Sequence, residues 1–379
     1  MLIKLIISDI IIKMRKTYKF KAKISSKTEQ GALNCLYMCQ QVYNACLEQR
    51  IFLWNQRKQP ITGYQQSAFL PELKKEFPEF ANVSHATLQQ VIERVDKSYK
   101  LFFSNLKKNN GRAGKPKFKS KSKYKSFTLK KWYWRLDGSN LYVKNVGVFK
   151  LYLSREIQGD IKQITIKRDS CGDWFVFFSC DNVPKPEYKA FKKDTIGIDV
   201  GISSFLTDSE GNKVDNPQFF VNSQKILKKK QRKLSRRKKG SARRNKARKL
   251  VAKQHRKIAR QRLDFHFKTA KTYVDKHGLV AVEKLNVSSM IKDNDLAKSI
   301  SDAGWFGFKE ILKFKCEEQE RVFIEVNPAY TSQDCSKCRK RVKKDLSERI
   351  HDCKSCGLVL DRDHNAAINV LKSAVGQTV

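Results

Sequence analysis

Four cysteines near the C-terminus have the spacing of a metal site. Cys335 and Cys338 form one Cys-x-x-Cys knuckle, and Cys353 and Cys356 form a second one after fourteen intervening residues. Paired knuckles at this separation are typical of a zinc ribbon, in which four thiolates surround one tetrahedral ion. The segment between the knuckles is too polar to bury the cysteines without a metal. Because cysteine fills all four positions, we expect a structural zinc ion, with no open position for water or substrate.

Two carboxylates follow the second knuckle. Asp361 and Asp363 precede a predicted helix from Asn365 to Ser373. A carboxylate at the start of a helix is held by the positive end of the helix dipole and can bind a hard cation, but it can also be a simple N-cap. The sequence leaves these two roles open.

Two further acids interrupt apolar stretches that are predicted to be strands. Asp199 lies within residues 195–201, TIGIDVG, and Glu283 lies within residues 279–287, LVAVEKLNV. A buried carboxylate is strongly unfavourable unless a cation or a hydrogen-bonding partner compensates its charge. Each acid is therefore either a metal ligand or a member of a buried polar network.

The composition indicates a polyanionic partner. The chain has 379 residues, and 79 Lys and Arg against 37 Asp and Glu give a formal charge of +42. Nucleic acid is favoured over a membrane, because the positive charge is spread along the chain and no apolar run is long enough to span a bilayer. Ten cysteines without a disulfide framework predict a reducing cytosol, and Cys35, Cys39 and Cys46 follow an apolar helical pattern that predicts burial.

The first residues do not resemble a secretion signal. MLIKLIISDIIIK, residues 1–13, is apolar but is interrupted by charges and lacks a small-residue cleavage site. It is predicted to be an edge strand, or an extension that precedes a start at Met14.

The N-terminal half alternates between strand and helix patterns. Residues 15–25 predict a half-exposed strand, and a capping box over 26–29 predicts the start of a long helix. Helices over 64–76 and from Ser84 onwards complete a small helical bundle. Residues 107–126 contain nine Lys or Arg and no acid, which predicts a mobile basic loop. Short alternating runs from Phe127 to Val183 then predict an antiparallel β-barrel or sheet, to which the first strand could return.

The C-terminal half has a different organisation. A strand over 195–201 is followed by a hairpin, and residues 225–262 contain twenty Lys or Arg and no acid. Such a run predicts a basic helical hairpin whose charges repel one another unless phosphates neutralise them. A strand over 279–287, a helix over 303–320 and a strand over 322–326 lead into the cysteine region.

Together these elements predict an α+β multidomain protein that ends in an RNase H-like domain. In that fold Asp199, Glu283 and either Asp361 or Asp363 would meet at one end of the sheet. Three neighbouring carboxylates repel one another and require divalent cations. Two Mg²⁺ ions about 3.5–4 Å apart could activate a water molecule and stabilise the leaving oxygen of a phosphodiester.

Several motifs resemble the TnpB family. They are GIDVG at 197–201, VEKL at 282–285, the knuckles CSKC and CKSC, and DRDHNAAINV at 361–370. Members of this family are transposon-encoded, RNA-guided DNA endonucleases with a split RuvC domain, and they are related to the compact type V CRISPR nucleases. The resemblance is specific over residues 191–373. Over the N-terminal half it is looser and rests on the order of the elements.

The resemblance implies roles for individual residues. Asp199, Glu283 and Asp363 would be the catalytic acids that hold two Mg²⁺ ions, with Asp363 fitting the third acid of the family better than Asp361. The four cysteines would bind one Zn²⁺ in an insertion between the last RuvC strand and helix.

The resemblance also implies a domain plan and partners. The plan is a first wedge strand over 1–25, a recognition domain over 26–126, a wedge β-barrel over 127–190, and a RuvC-like domain over 191–379 with the basic hairpin at 225–262 and the zinc ribbon at 330–360. Its partners would be a guide RNA from the transposon end and double-stranded DNA selected beside a short motif. We expect a monomer that is cytoplasmic and nucleoid-associated in a prokaryotic cell.

Two alternatives remain from the sequence. A non-catalytic zinc-ribbon regulator would explain the positive charge and the cysteines, but not two acids in apolar strands. A DDE-type transposase would use the same metal chemistry for strand transfer.

Overall fold

The protein divides into two compact units after Pro184. The structure is a computed structural model, and it describes residues 13–108, 112–185, 194–291, 296–345 and 348–376. Residues 1–12, for which the sequence predicted an edge strand or an extension, lie outside the described residues. Among the helices that the structure describes, none is both long enough and apolar enough to cross a membrane.

The first unit contains a seven-stranded antiparallel sheet that forms a nearly closed barrel. The strand order is β2-β6-β7-β1-β5-β4-β3. The strands are β1 Lys13–Ile24, β2 Ser126–Lys130, β3 Trp134–Asp137, β4 Asn140–Val143, β5 Gly147–Leu151, β6 Asp160–Arg168 and β7 Trp174–Pro184. Strand β1 buries alternate residues, including Tyr18 and Phe20, and pairs with β5 and β7. The prediction that the first strand returns to the later ones is therefore confirmed.

Helices fill the interval between β1 and β2. They are α1 Ser26–Arg57, α2 Gly63–Ala68, α3 Leu70–Glu76 and α4 His85–Lys108, with a short 3₁₀ helix at Pro78–Asn82. Helix α1 packs on α4 and buries Cys35, Cys39 and Cys46, as the helical pattern predicted.

Two predicted helix boundaries in this unit were wrong. The N-cap of α1 is Ser25, whose hydroxyl accepts a hydrogen bond from the backbone N–H of Thr28, so the helix is capped one residue before the Ser26 of the capping box predicted over 26–29. The helix predicted over 64–76 is two helices, α2 and α3, with Phe69 between them. Pro71 explains the interruption, since it has no N–H to continue the helical hydrogen bonds.

The described part of the basic loop is attached to α1. The side chain of Asn44 accepts a hydrogen bond from the Lys119 N–H at 2.9 Å and donates one to its carbonyl oxygen at 3.0 Å. Gln40 donates a third hydrogen bond to the same carbonyl at 2.8 Å. The basic loop that was predicted to be mobile is therefore anchored at Lys119, because the amide side chains of Gln40 and Asn44 hold its backbone.

The second unit is built on a five-stranded sheet with the order β10-β9-β8-β11-β12. The strands are β8 Thr195–Val200, β9 Ser204–Asp208, β10 Lys213–Asp215, β11 Leu279–Glu283 and β12 Val322–Val326. Strands β8 to β10 pair antiparallel, whereas β11 is parallel to both β8 and β12. This is the RNase H-like arrangement that the sequence predicted. The strand predicted over 279–287 ends earlier, at Glu283, and a helical turn begins at Val287.

Six helices of this unit are described: α5 Phe219–Ser235, α6 Ala242–Lys276, α7 Val287–Met290, α8 Ala297–Ala303, α9 Trp305–Glu318 and α10 Arg362–Val375. Helices α5 and α6 form the predicted basic hairpin, and α6 continues past the predicted end at Arg262. The helix predicted over 303–320 begins at Trp305 instead, because Gly304 has a φ of +68° and ends α8. Helix α10 begins three residues before the predicted Asn365.

Helices cover both faces of the five-stranded sheet. On one face Ile196, Ile198, Val280 and Val282 pack with residues of α6 and α9. On the opposite face Leu279, Ala281 and Val326 pack with Val370 and Ala374 of α10. Because successive residues of a strand point to opposite faces, this division fixes the face on which each polar residue lies.

The cysteine region adds a small hairpin. Strands β13 Ile350–Cys353 and β14 Leu358–Asp361 pair antiparallel, and an isolated bridge joins Asp334 to Arg341 beside the first knuckle. Strand β14 leads directly into α10.

Candidate active site and metal centre

The sheet brings Asp199 and Glu283 to the same end and the same face. Ile198 pairs with Val282 across the parallel strands β8 and β11, so the next residues, Asp199 and Glu283, are neighbours at the carboxyl ends of the two strands. Glu283 lies on the face of Leu279 and Ala281, which is covered by α10. The two acids that interrupt apolar strands in the sequence therefore face the same helix.

Helix α10 supplies the third carboxylate. A Cβ atom placed on Gly197 would lie 2.3 Å from the Ala367 carbonyl oxygen, so only glycine permits α10 to approach β8 this closely. At the beginning of the helix, Asp363 Oδ2 lies 3.8 Å from the position that a Cβ of Gly201 would take. Gly197 thus leaves room for α10 beside β8, and the beginning of the helix brings Asp363 close to the end of the GIDVG motif.

The pKa values indicate how strongly these carboxylates interact. Burial raises the pKa of Asp199 well above its usual value, and the negative charges of Glu283 and Asp363 raise it further, against smaller opposing contributions from Arg362 and the Val200 N–H. Burial also raises the pKa of Glu283, and the hydrogen bond from the Thr331 hydroxyl only partly offsets this effect. The cluster therefore carries an excess of negative charge that a divalent cation would neutralise.

Asp361 and Asp363 have different surroundings. Asp361 is the N-cap of α10, because its Oδ1 accepts hydrogen bonds from the backbone N–H groups of Asp363 and His364 at 3.0 and 3.1 Å. Its other oxygen pairs with Lys213 at 2.7 Å. Partial burial raises the pKa of Asp361, but these hydrogen bonds outweigh it, and the net shift is downward. The negative charge of Asp363 raises the pKa of Asp199. Asp361, by contrast, caps the helix.

Two neighbours of the acids were not singled out from the sequence. Arg362 forms an ion pair with Asp363 at 3.2 Å, and Thr331 donates a hydrogen bond to Glu283 Oε1. Arg362 could have been noticed because it stands between the two candidate acids. Thr331 has no such signal, because it lies forty-eight residues from Glu283 in the chain.

The metal-free cluster is expected to destabilise the fold at neutral pH. The folded-state pKa of Asp199 is above its unfolded value, so folding is progressively penalised as the pH rises above about 4 and through the raised pKa. Asp199→Asn removes this penalty, and we expect it to raise the melting temperature by a few degrees at pH 7 in buffer without Mg²⁺.

A buried aspartate outside the cluster provides the matched control. Asp208 accepts hydrogen bonds from the Tyr273 hydroxyl at 3.0 Å, from the Asn212 amide and from two backbone N–H groups. Asp208→Asn disrupts this network and is expected to lower the melting temperature. If Asp199→Asn also lowers the melting temperature, repulsion within the acidic cluster does not destabilise the fold.

The four cysteines of the two knuckles lie together, as predicted. Their Sγ atoms are all within 4.8 Å of one another, with 3.5 Å between Cys335 and Cys356 and 3.6 Å between Cys338 and Cys353. A tetrahedral ion with Zn–S bonds of about 2.3 Å requires sulfur atoms about 3.8 Å apart. Because no pair forms a disulfide, the four thiols fit a closed tetrahedral metal site.

The basic helical hairpin carries a cationic groove on its first helix. The groove is lined by basic side chains of α5 and of the two residues that follow it, which are Lys225, Lys228, Lys229, Arg232, Lys233, Arg236 and Arg237. No acid occurs between residues 225 and 262 to neutralise them. Such a surface binds phosphates without reading a base sequence.

Two family models and several known proteins match this chain. Residues 177–294 match the family model OrfB_IS605, described as "Probable transposase", and residues 305–370 match "Cas12f1-like, TNB domain". The "Putative RNA-guided DNA endonuclease" of Streptomyces pristinaespiralis is 33% identical over 369 residues, which cover 94% of this chain and 89% of that protein. The "TnpB-like protein L79" of Acanthamoeba polyphaga mimivirus is 31% identical over 229 residues, covering 56% of this chain and 43% of that protein.

A solved structure among the matches shares the fold. It is titled "Structure of the mini-RNA-guided endonuclease CRISPR-Cas_phi3", and it aligns with a TM-score of 0.53 at 9% identity over 98% of this chain and 94% of that one. At this identity the likeness concerns the fold alone. The full-length relative, the two family models and the motifs in the second unit agree, and the chain belongs to the TnpB family.

Proposed function

We propose that this protein is an RNA-guided DNA endonuclease of a transposable element and that Asp199, Glu283 and Asp363 form its active site. The observation that carries the proposal is the convergence of these acids from β8, β11 and α10, where burial and mutual repulsion raise the pKa of Asp199. Carboxylates in this arrangement fit hard divalent cations. The names of the relatives support a nuclease acting on DNA.

Two Mg²⁺ ions held by these acids would activate the attacking water and stabilise the leaving oxygen of a phosphodiester. The chain's own residues orient the ligands. Thr331 fixes one oxygen of Glu283, and the Arg362 guanidinium fixes one oxygen of Asp363. The Val200 N–H favours the ionised form of Asp199. Each carboxylate is thus oriented by a hydrogen bond from a neighbouring group. This limits how far the side chains must move when a metal binds.

We assign Zn²⁺ to the four cysteines and a structural role to that ion. Four cysteine ligands leave no open position for substrate, so the ribbon would support the acids and take no part in the chemistry. The sulfur separations are consistent with this metal.

Nucleic acid would be bound by phosphate contacts over large basic surfaces. The basic groove of α5, the described part of the basic loop and the total charge of +42 favour a long polyanion. We assign the barrel strands to the wedge, residues 26–126 to recognition and the second unit to DNA cleavage. The guide RNA would come from the transposon end, and base pairing would select the DNA target beside a short motif read by the protein.

Exchanging the guide portion of the RNA tests this function directly. Protein produced with RNA from its own locus is incubated with a DNA library, and the cleaved ends are sequenced. We expect cleavage to move to the sequence that matches the new guide, because the basic surfaces hold phosphates of any sequence. A scrambled guide of equal length is the control.

Other outcomes support the alternatives. Cleavage or strand transfer that stays at the old target would indicate a nuclease or DDE-type transposase that reads DNA through the protein. Binding without Mg²⁺-dependent cleavage would indicate a zinc-ribbon regulator.

A further inference from the structure

The cysteine region and the acidic cluster are connected by a short hydrogen-bonded link. The link consists of Thr331, Asn365 and Asn369. Thr331 lies between β12 and the first knuckle, and the two asparagines lie on α10, the helix that begins beside Asp363. We propose that this link positions the Glu283 carboxylate for metal binding, which deepens the proposed function and rests on it.

The first contact of the link is the one to the acid. The Thr331 hydroxyl donates to Glu283 Oε1 and also lies 3.1 Å from the Pro328 carbonyl oxygen. Only 6% of Thr331 is exposed, so water does not readily replace this donor. One oxygen of Glu283 is therefore fixed by the hydroxyl, which leaves the second oxygen for a cation.

The second contact fixes Thr331 to α10. The Asn369 amide donates to the carbonyl oxygens of Thr331 at 2.8 Å and Asp334 at 2.7 Å. Both carbonyls belong to the segment that enters the first knuckle at Cys335. A single side chain thus holds the two ends of that segment, and it can do so only as a double N–H donor.

Asn365 completes the attachment one helical turn earlier. Its amide N–H₂ donates to the Asp334 carbonyl at 2.9 Å, and its Oδ1 accepts from the Ser336 N–H at 2.9 Å. Asn365 is fully buried, and residues four apart in a helix lie on the same face. The asparagines of the DRDHNAAIN sequence therefore dock the knuckle on α10.

Helix α10 therefore helps to position two of the three acids, Asp363 and Glu283. The same helix carries Asp363 at its beginning and holds the segment whose Thr331 orients Glu283. Neighbours that orient metal ligands typically change metal affinity about 10–100-fold when they are removed. We therefore assign Thr331 and Asn369 as positioning residues, distinct from the metal ligands themselves.

The test uses the full-length protein with its RNA and measures metal binding as well as cleavage. Thr331→Val keeps the shape of the side chain but removes the donor, and Thr331→Ser retains the hydroxyl. We expect Thr331→Val to raise the Mg²⁺ concentration for half-maximal cleavage about 10-fold or more and to weaken Mn²⁺ binding, followed by electron paramagnetic resonance, by a similar factor. Thr331→Ser should restore both values to near those of the wild type.

A second variant tests the connection to α10. Asn369→Leu should weaken Mn²⁺ binding like Thr331→Val, and the double variant should be little worse than either single one, because both changes break the same link. Ser373→Val, at an exposed position of the same helix, is the matched control and should bind Mn²⁺ like the wild type. Zinc content, measured by elemental analysis, is expected to stay at one per chain in Thr331→Val.

The outcomes separate this inference from the proposed function. If the wild type neither binds Mn²⁺ nor cleaves DNA, the proposed active site is wrong and the link has no ligand to position. If the wild type does both and Thr331→Val has an unchanged metal requirement, the positioning role is wrong while the active site stands. If Thr331→Ser is as impaired as Thr331→Val, packing rather than the hydroxyl is responsible, and the inference also fails.

Discussion

Asp199→Ala, Glu283→Ala and Asp363→Ala are each expected to lower Mg²⁺-dependent DNA cleavage by about 10³-fold to 10⁴-fold. Each substitution removes a ligand from a cluster in which three carboxylates share the cations, so the loss of one impairs the whole site. Binding of the guide RNA should remain nearly unchanged, because it depends on dispersed Lys and Arg side chains. Cleavage rates are measured with saturating RNA, and RNA affinity is measured on the same samples.

Asp361→Ala is the matched control for this series. Asp361 caps α10 and pairs with Lys213, so its loss should cost about 1 kcal/mol of stability and have a milder effect on cleavage. A loss equal to that of Asp363→Ala would show that the choice between the two acids is wrong. Survival of cleavage in two of the three alanine variants would reject the proposed site.

Serine at any one of Cys335, Cys338, Cys353 and Cys356 is expected to abolish stoichiometric zinc binding and to lower cleavage indirectly. Structural zinc contributes about 10–16 kcal/mol in small zinc-binding peptides, so the local fold depends on it. The knuckle at Cys335 is docked on α10 through Asn365, and its disorder would displace the helix that carries Asp363. Elemental analysis should find one zinc ion in the wild type and much less in the variants.

Cys316→Ser is the matched control for the zinc series. Cys316 is as buried as Cys335 and Cys353 but packs in the apolar core beside α6 and the sheet, away from the four-cysteine cluster. This variant should lose some stability and retain its zinc. Fully active wild-type protein without zinc would contradict the structural role of the metal.

Buried acids show why a sequence pattern alone cannot select the active site. Asp208 and Asp302 are as buried as any candidate acid, yet both are satisfied within the protein. Asp302 accepts hydrogen bonds from the Phe220 and Val221 N–H groups at the start of α5 and pairs with Arg262 at 3.0 Å. Asp199 differs because its neighbours include two further acids. Only the folded chain distinguishes a compensated carboxylate from an uncompensated one.

The amino-acid sequence by itself determined the features that depend on local pattern. Knuckle spacing predicted the cysteine cluster, alternation predicted the barrel strands, and the acid-free basic run predicted the α5–α6 hairpin, because spacing and periodicity are properties of consecutive residues. The sequence also indicated that Asp199 and Glu283 are unusual, because each interrupts an apolar strand. The resemblance to the TnpB family implied which three acids form the site. The two matching family models support membership of the family itself.

The tertiary structure decided what depends on contacts between distant segments. The different surroundings of Asp361 and Asp363 depend on Lys213, which lies 148 residues from Asp361, and the contact between Thr331 and Glu283 spans forty-eight residues. The position of α10 against β8 depends on a backbone approach that only Gly197 permits. Such contacts leave no periodic signal, because the sheet register and helix packing that create them are set by the whole core.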